Sequence, residues 1–181
     1  MRRIWRCFRD KSGSSYPLVI AMVLGSLLLL CGIQEFFRLQ IIASGVKEAL
    51  QDVIVVTVND NYANVYHGVR EGYSGGYRFD GDVFLEAVDP GDVYYELAQV
   101  LGISKEGERY VKYAGGVLEY QLSGLMVTVR NAPLAPKDPE NAQRFEVDAA
   151  MILEVPVRFA GKVFPAMKTT LKVQAGYIEV F

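Results

Sequence analysis

Hydrophobic positions follow three regimes along the chain. From Pro17 to Ile33 (Pro17-LVIAMVLGSLLLLCG-Ile33) they are nearly continuous, and no charge occurs from Ser12 to Gln34, a run of 23 residues. About 20 apolar residues in helix cross a bilayer's hydrocarbon core. The run therefore predicts a transmembrane helix over residues 16–34. The competing reading, a core helix of a soluble protein, fits this length and these charged flanks less well. Past the run the period changes. Leu39, Ile42, Val46, Ala49, Leu50 and Val53 recur at spacings of three and four, with Lys47, Glu48, Gln51 and Asp52 on the opposite face. That pattern predicts an amphipathic helix continuing the span outward over residues 35–67. Val53-IVVT-Val58 is β-branched and also fits a strand. Helix is favoured because Val53 and Val56 keep the phase of Val46 and Ala49. A helix from Tyr16 to Tyr66 would be about 75 Å long, with Asn59-Asp60-Asn61 as a candidate kink.

Residues 68–82 are rich in Gly and Tyr and read as a loop. Its Tyr73, Tyr77 and Phe79 either bind a sugar or partner or, more ordinarily, fold back on the protein. Asp80-Gly-Asp82 lacks the other ligand positions of a calcium loop. Asp89-Pro90 opens a short helix as N-cap and first turn. Val93, Leu97, Val100 and Leu101 form its stripe and Gly102 ends it.

The third regime has period two. Ala114-Gly115-Gly116 marks a hairpin. Leu118, Tyr120 and Leu122 are even-numbered, whereas Leu125, Val127 and Val129 are odd. The phase change at Ser123-Gly124 predicts a bulge or kink. Pro133, Pro136 and Pro139 mark a long loop. Odd positions are then apolar from Phe145 to Phe159, and Val163, Met167, Leu171, Val173 and Tyr177 are again odd, with Pro156 and Pro165 suggesting edges or bulges. A three-residue loop, Ala160–Lys162, predicts pairs summing to 322: Phe159 with Val163, Met151 with Leu171, and Glu154 with Lys168. The whole is an α+β fold. A single N-terminal transmembrane helix extends outward and is followed by a mainly antiparallel sheet domain, with a short helix, over residues 68–181.

Charge gives this plan an orientation. Residues 1–15 carry Arg2, Arg3, Arg6, Arg9 and Lys11 against Asp10, a net of +4. The other 166 residues hold 14 basic and 20 acidic groups. The positive-inside rule places the leader in the cytoplasm and the rest outside, as a single-pass cell-membrane protein. The overall charge of −2 argues against a nucleic-acid binder. No small-x-small cleavage site follows the run. Leu30 precedes Cys31 where a lipoprotein box needs a small residue, so Cys31 reads as an apolar helix residue. Cys7 reads as an unpaired cytoplasmic thiol.

Candidate chemistry is sparse. Two Cys and one His leave almost nothing for a zinc site or a disulfide framework. No phosphate loop and no Ser or Cys elbow occurs. His67 stands alone in Asn64-Val-Tyr-His67 and reads as a helix-surface or cap residue. The expectation is a non-enzymatic protein with no catalytic residue, cofactor, metal or small-molecule substrate. What stands out lies on the span. Ala21, Gly25 and Gly32, spaced by four and seven, give a small-residue face for a partner helix. Glu35 and Arg38 follow on one helix face at the outer boundary. They are either a snorkelling pair or charges held against another subunit's helix.

Two stretches carry a family likeness. Lys11-Ser-Gly13-Ser-Ser resembles the basic-plus-Gly entry of the TadE-like pseudopilins of tight-adherence (Flp-type) pilus systems. Cys31-Gly32-Ile33-Gln34-Glu35-Phe36-Phe37-Arg38-Leu39 resembles the Gly-Ile-x-Glu-Phe-x-Arg stretch closing that family's membrane helix. Val46-Lys-Glu-Ala-Leu50 sits where the family has its Ala-rich helix. The resemblance covers residues 9–55. It implies a pilin-like fold, a pseudopilin or assembly factor of a pilus or secretion apparatus, partners among other pilin-like or envelope subunits, and Gly13 as a processing position. The family's Glu five residues after that Gly is Leu18 here. The alternative function is a membrane-anchored extracytoplasmic module that binds a cell-wall or protein ligand.

Overall fold

The computed structural model describes residues 16–63, 76–134, 137–138 and 143–176. The basic leader, Gly13, Tyr66, His67, most of the Gly/Tyr stretch and Tyr177 lie outside them. One helix, α1 (Tyr16–Ala63), runs 48 residues without a break, about 72 Å at 1.5 Å per residue. Its N-terminal part is long and apolar enough to cross a membrane, and its most apolar stretch is not buried at all. The C-terminal part is the central element of the core.

That packing decides the fate of the β-branched run. Val46, Ala49, Leu50, Val53, Ile54 and Val58 are all buried against the sheet. Helix is favoured over strand because only the 3.6-residue period points all of them at one surface. Val56 does not belong to this stripe. It is exposed, and the phase passes instead through Ile54, Thr57, Val58 and Asn61. Nor does α1 stop at the Asn59–Asn61 stretch. Asn61 is buried because its side-chain amide is used in full: Nδ2 donates to Thr57 O and Asp89 O, and Oδ1 accepts from Asp89 N–H. It ties the helix to the following segment.

In that segment Tyr77–Phe79 (β1) and Phe84–Glu86 (β2) form a small antiparallel hairpin, where the Gly content predicts only loop. Asp80–Val83 closes its turn. Helix α2 (Val93–Leu101) is capped by Asp92, whose carboxylate accepts from Tyr95 N–H. Asp89 is not the cap, because its side chain accepts from Gly91 N–H. Val93 and Leu97 are buried, whereas Val100 faces solvent. Gly102 ends α2 at φ 58°. Lys112 Nζ donates to Leu101 O and Gly102 O, a cation at the negative end of the helix dipole.

The remaining strands are β3 (Ser104–Glu106), β4 (Arg109–Ala114), β5 (Val117–Arg130), β6 (Glu146–Phe159) and β7 (Lys162–Gly176). They form a sequential antiparallel meander in which each strand pairs with the next. Odd residues of β6 from Val147 to Val155 are buried under α1. Charges cover the other face: Lys168 Nζ lies 3.0 Å from Glu154, and Arg130 lies 2.9 Å from Glu146 and 2.6 Å from Asp148.

Two irregularities shape the sheet. The phase change in β5 is a bulge, with the register shifting between Ser123 and Met126 and Gly124 at φ 62°. The Leu125 N–H, out of the ladder there, donates to Tyr94 Oη of α2. In the terminal hairpin Met151 pairs with Leu171 and Glu154 with Lys168, as the even-sum rule requires. The turn, however, has two residues, Ala160 and Gly161. Phe159 pairs with Lys162 rather than Val163. A register shift between Val155 and Val157 absorbs the difference, placing Pro156 of β6 opposite Pro165 and Ala166 of β7. Proline is tolerated where the ladder is already broken.

Candidate functional site at the helix–sheet junction

The register shift at Pro156 lies where the exposed half of α1 meets the sheet. Along β6, the β5–β6 pairs run from Arg130–Glu146 to Gln121–Glu154. No pair joins the two strands beyond Glu154, although both continue. The backbone of β6 therefore presents Pro156 O and Arg158 N–H to α1. Both are taken by the pair at the end of the apolar run. Arg38 Nη2 donates to Pro156 O at 2.6 Å, and Arg158 N–H donates to Glu35 Oε1 at 2.7 Å. Glu35 and Arg38 are also bonded to each other through two contacts, Nε–Oε2 at 2.9 Å and Nη2–Oε1 at 2.8 Å. Helical spacing of three puts both on one face, so together they match one acceptor and one donor two residues apart on a strand.

The Arg158 side chain completes the junction, donating from Nη2 to Leu118 O of β5 at 2.6 Å. Glu35 is only 12% exposed and Arg38 25%. Hydrogen bonding from Arg38, helped by the Arg158 N–H, holds the Glu35 carboxyl below its ordinary pKa against the opposing effect of burial. The bond to Glu35 likewise raises the Arg38 pKa. Arg38 Nη1 and Arg158 Nε are buried without a hydrogen-bond partner. The junction is thus a charged clasp that fixes the sheet to the helix at the end of the apolar segment.

The other residues singled out by sequence divide here. A Cβ on Gly32 would meet the Phe159 ring at 3.8 Å, so Gly32 lies beneath the hairpin. Gly25 has open space around it, and Ala21 is exposed. Cys31 is a free, exposed thiol. Beside the clasp, Leu30, Ile33, Phe37, Ile41, Ile42 and Glu119 line a mainly apolar groove of 610 Å³. At the far end of α1, Asp60, Asn61, Tyr77, Arg78 and Asp89 line a polar cavity of 550 Å³. Among the described residues no cluster of three or more His, Cys, Asp or Glu could hold a metal.

Sequence reading found Glu35 and Arg38 but not their long-range partners. Those partners are main-chain groups, which every residue carries. The available signal was Pro156, a proline breaking an otherwise regular strand. In comparisons with known proteins, no family model, curated protein or solved structure matches this chain.

Proposed function

We propose that the chain is a non-enzymatic, membrane-anchored component of the bacterial cell envelope, a TadE-like pseudopilin or assembly factor of a pilus or secretion apparatus. The leader faces the cytoplasm and the sheet domain lies outside. One observation carries this reading: α1 is at once an exposed apolar span and the central core element of an antiparallel sheet domain. A protein built this way cannot swivel freely about its anchor, because anchor and domain share one rigid helix. Force or contact at the sheet is transmitted to the span, as an assembling subunit requires. The Glu35–Arg38 clasp reinforces that coupling, and the exposed Ala21–Gly25 face leaves room for a neighbouring helix.

Site-specific photocrosslinking from Ala21 and Gly25 in native membranes tests the reading. It expects adducts with other single-span envelope proteins, and weaker co-purification of those partners with Ala21→Leu and Gly25→Leu. Both variants should still insert, since leucine favours the bilayer. No adduct, with unchanged co-purification, would reduce the helix to an anchor. The binding-module reading would then take over, with the polar cavity beside Tyr77 as its first candidate site.

A further inference from the structure

We propose that the tip of the β6–β7 hairpin enters the outer leaflet of the bilayer beside the span and gives the protein a second membrane contact. The proposal rests on the reading of residues 16–34 as a membrane span.

Depth is the first support. Twenty residues from Tyr16 to Glu35 make about 30 Å of helix, the thickness of a hydrocarbon core. Glu35 therefore marks the outer boundary. The Phe159 ring lies over Gly32, about 4.5 Å deeper along the helix axis. The turn extends beyond Phe159, so the tip reaches roughly 5–10 Å into the apolar zone, the depth at which interfacial apolar groups sit.

Composition is the second. Val163 is 69% exposed and Phe164 47%, and they point to opposite faces of the strand because they are adjacent. The tip thus offers apolar surface on both faces to whatever surrounds it. Arg158, which would oppose burial, is turned inward to Leu118 O. Lys162 is the remaining charge of the tip, and its flexible stem lets the ammonium reach the headgroup phosphates.

The turn residue is the third. Ala160 and Gly161 both have positive φ, 48° and 76°. Such turns favour Asn, Asp or Gly at the first position. Ala160 adopts the strained conformation without any polar side chain and is the one non-glycine residue with positive φ among the described residues. That choice keeps the tip apolar.

The test uses the full chain with Cys7→Ser and Cys31→Ser, reconstituted in phosphatidylcholine–phosphatidylglycerol vesicles. Single cysteines from Leu24→Cys, Val163→Cys or Met126→Cys carry an environment-sensitive fluorophore. Quenching is measured with lipids bearing nitroxides at shallow or deep acyl positions. The expected result is deep quenching at 24, shallow quenching with blue-shifted emission at 163, and neither at 126 on the polar sheet face. A label at 163 as unquenched as that at 126, with 24 quenched, overturns the hairpin proposal and leaves the span intact. No quenching at 24 overturns the span and the proposal with it.

Discussion

Glu35→Ala should loosen the sheet domain far more than loss of a surface ion pair would. The substitution removes two bonds to Arg38 and the acceptor of the Arg158 N–H. An exposed pair at this helical spacing contributes only about 0.2–0.5 kcal/mol. Here Glu35 is mostly buried, so deletion leaves a main-chain donor and a largely covered guanidinium unsatisfied. A stranded buried donor costs about 1–3 kcal/mol, and more for a charged group. A fully buried pair broken on one side costs about 3–5 kcal/mol. The one-quarter exposure of Arg38 lets water compensate in part, which brings the expected loss to about 2–4 kcal/mol. Arg38→Met should cost a similar amount, because it strands Pro156 O and leaves the mostly buried Glu35 carboxylate without its main donor. The double variant should show a coupling above about 0.5 kcal/mol, as expected of residues in direct contact. Urea unfolding of the sheet domain, followed by circular dichroism on the full chain in lipid nanodiscs, measures all three. A loss below about 0.5 kcal/mol with no coupling would identify a solvated snorkelling pair and refute the clasp.

Two further outcomes are expected. Gly124→Ala should destabilise by about 1–2 kcal/mol, from the left-handed φ at the bulge and a Cβ placed 3.3 Å from Ile152 Cδ1; an unchanged urea midpoint would contradict this. Bonds from Lys168 and then Gln121 hold the Glu154 carboxyl below its ordinary value, so its stabilisation is complete above the unfolded pKa near 4.5 and is lost as pH falls through the lower folded pKa; Glu154→Gln should flatten the acid limb of a stability–pH curve, and an unaltered limb would remove Glu154 as a contributor.

Much of the architecture was legible because periodicity is a direct physical record of burial. The stripe from Val46 to Val53, the odd positions of β6 and the phase change at Gly124 all appear where the pattern puts them. The misreadings have a common cause, since several residues competed for one local role. Asp89 and Asp92 both precede the short helix; the Asp89 side chain is taken by the Gly91 N–H two residues on and its main chain by the distant Asn61, which leaves Asp92 as the cap. A two-residue turn plus a bulge gives the same distal pairing as a three-residue turn, so alternation could not separate them. Glu35 and Arg38 stood out as charges at the end of an apolar run. Their partners, Pro156 O and Arg158 N–H, are backbone groups 118 and 123 positions further along the chain, and no side-chain pattern announces them.

The claim that one helix crosses the membrane and carries the sheet domain to the outside is tested most directly by reporters fused after Phe181 in intact cells. Activity is expected from an enzyme that matures only outside the cytoplasm, and none from a reporter that works only inside. The proposed orientation rests on the +4 charge of the leader through the positive-inside rule. The reverse result, a cytoplasmic reporter active after Phe181, would contradict the topology and with it the proposed envelope function.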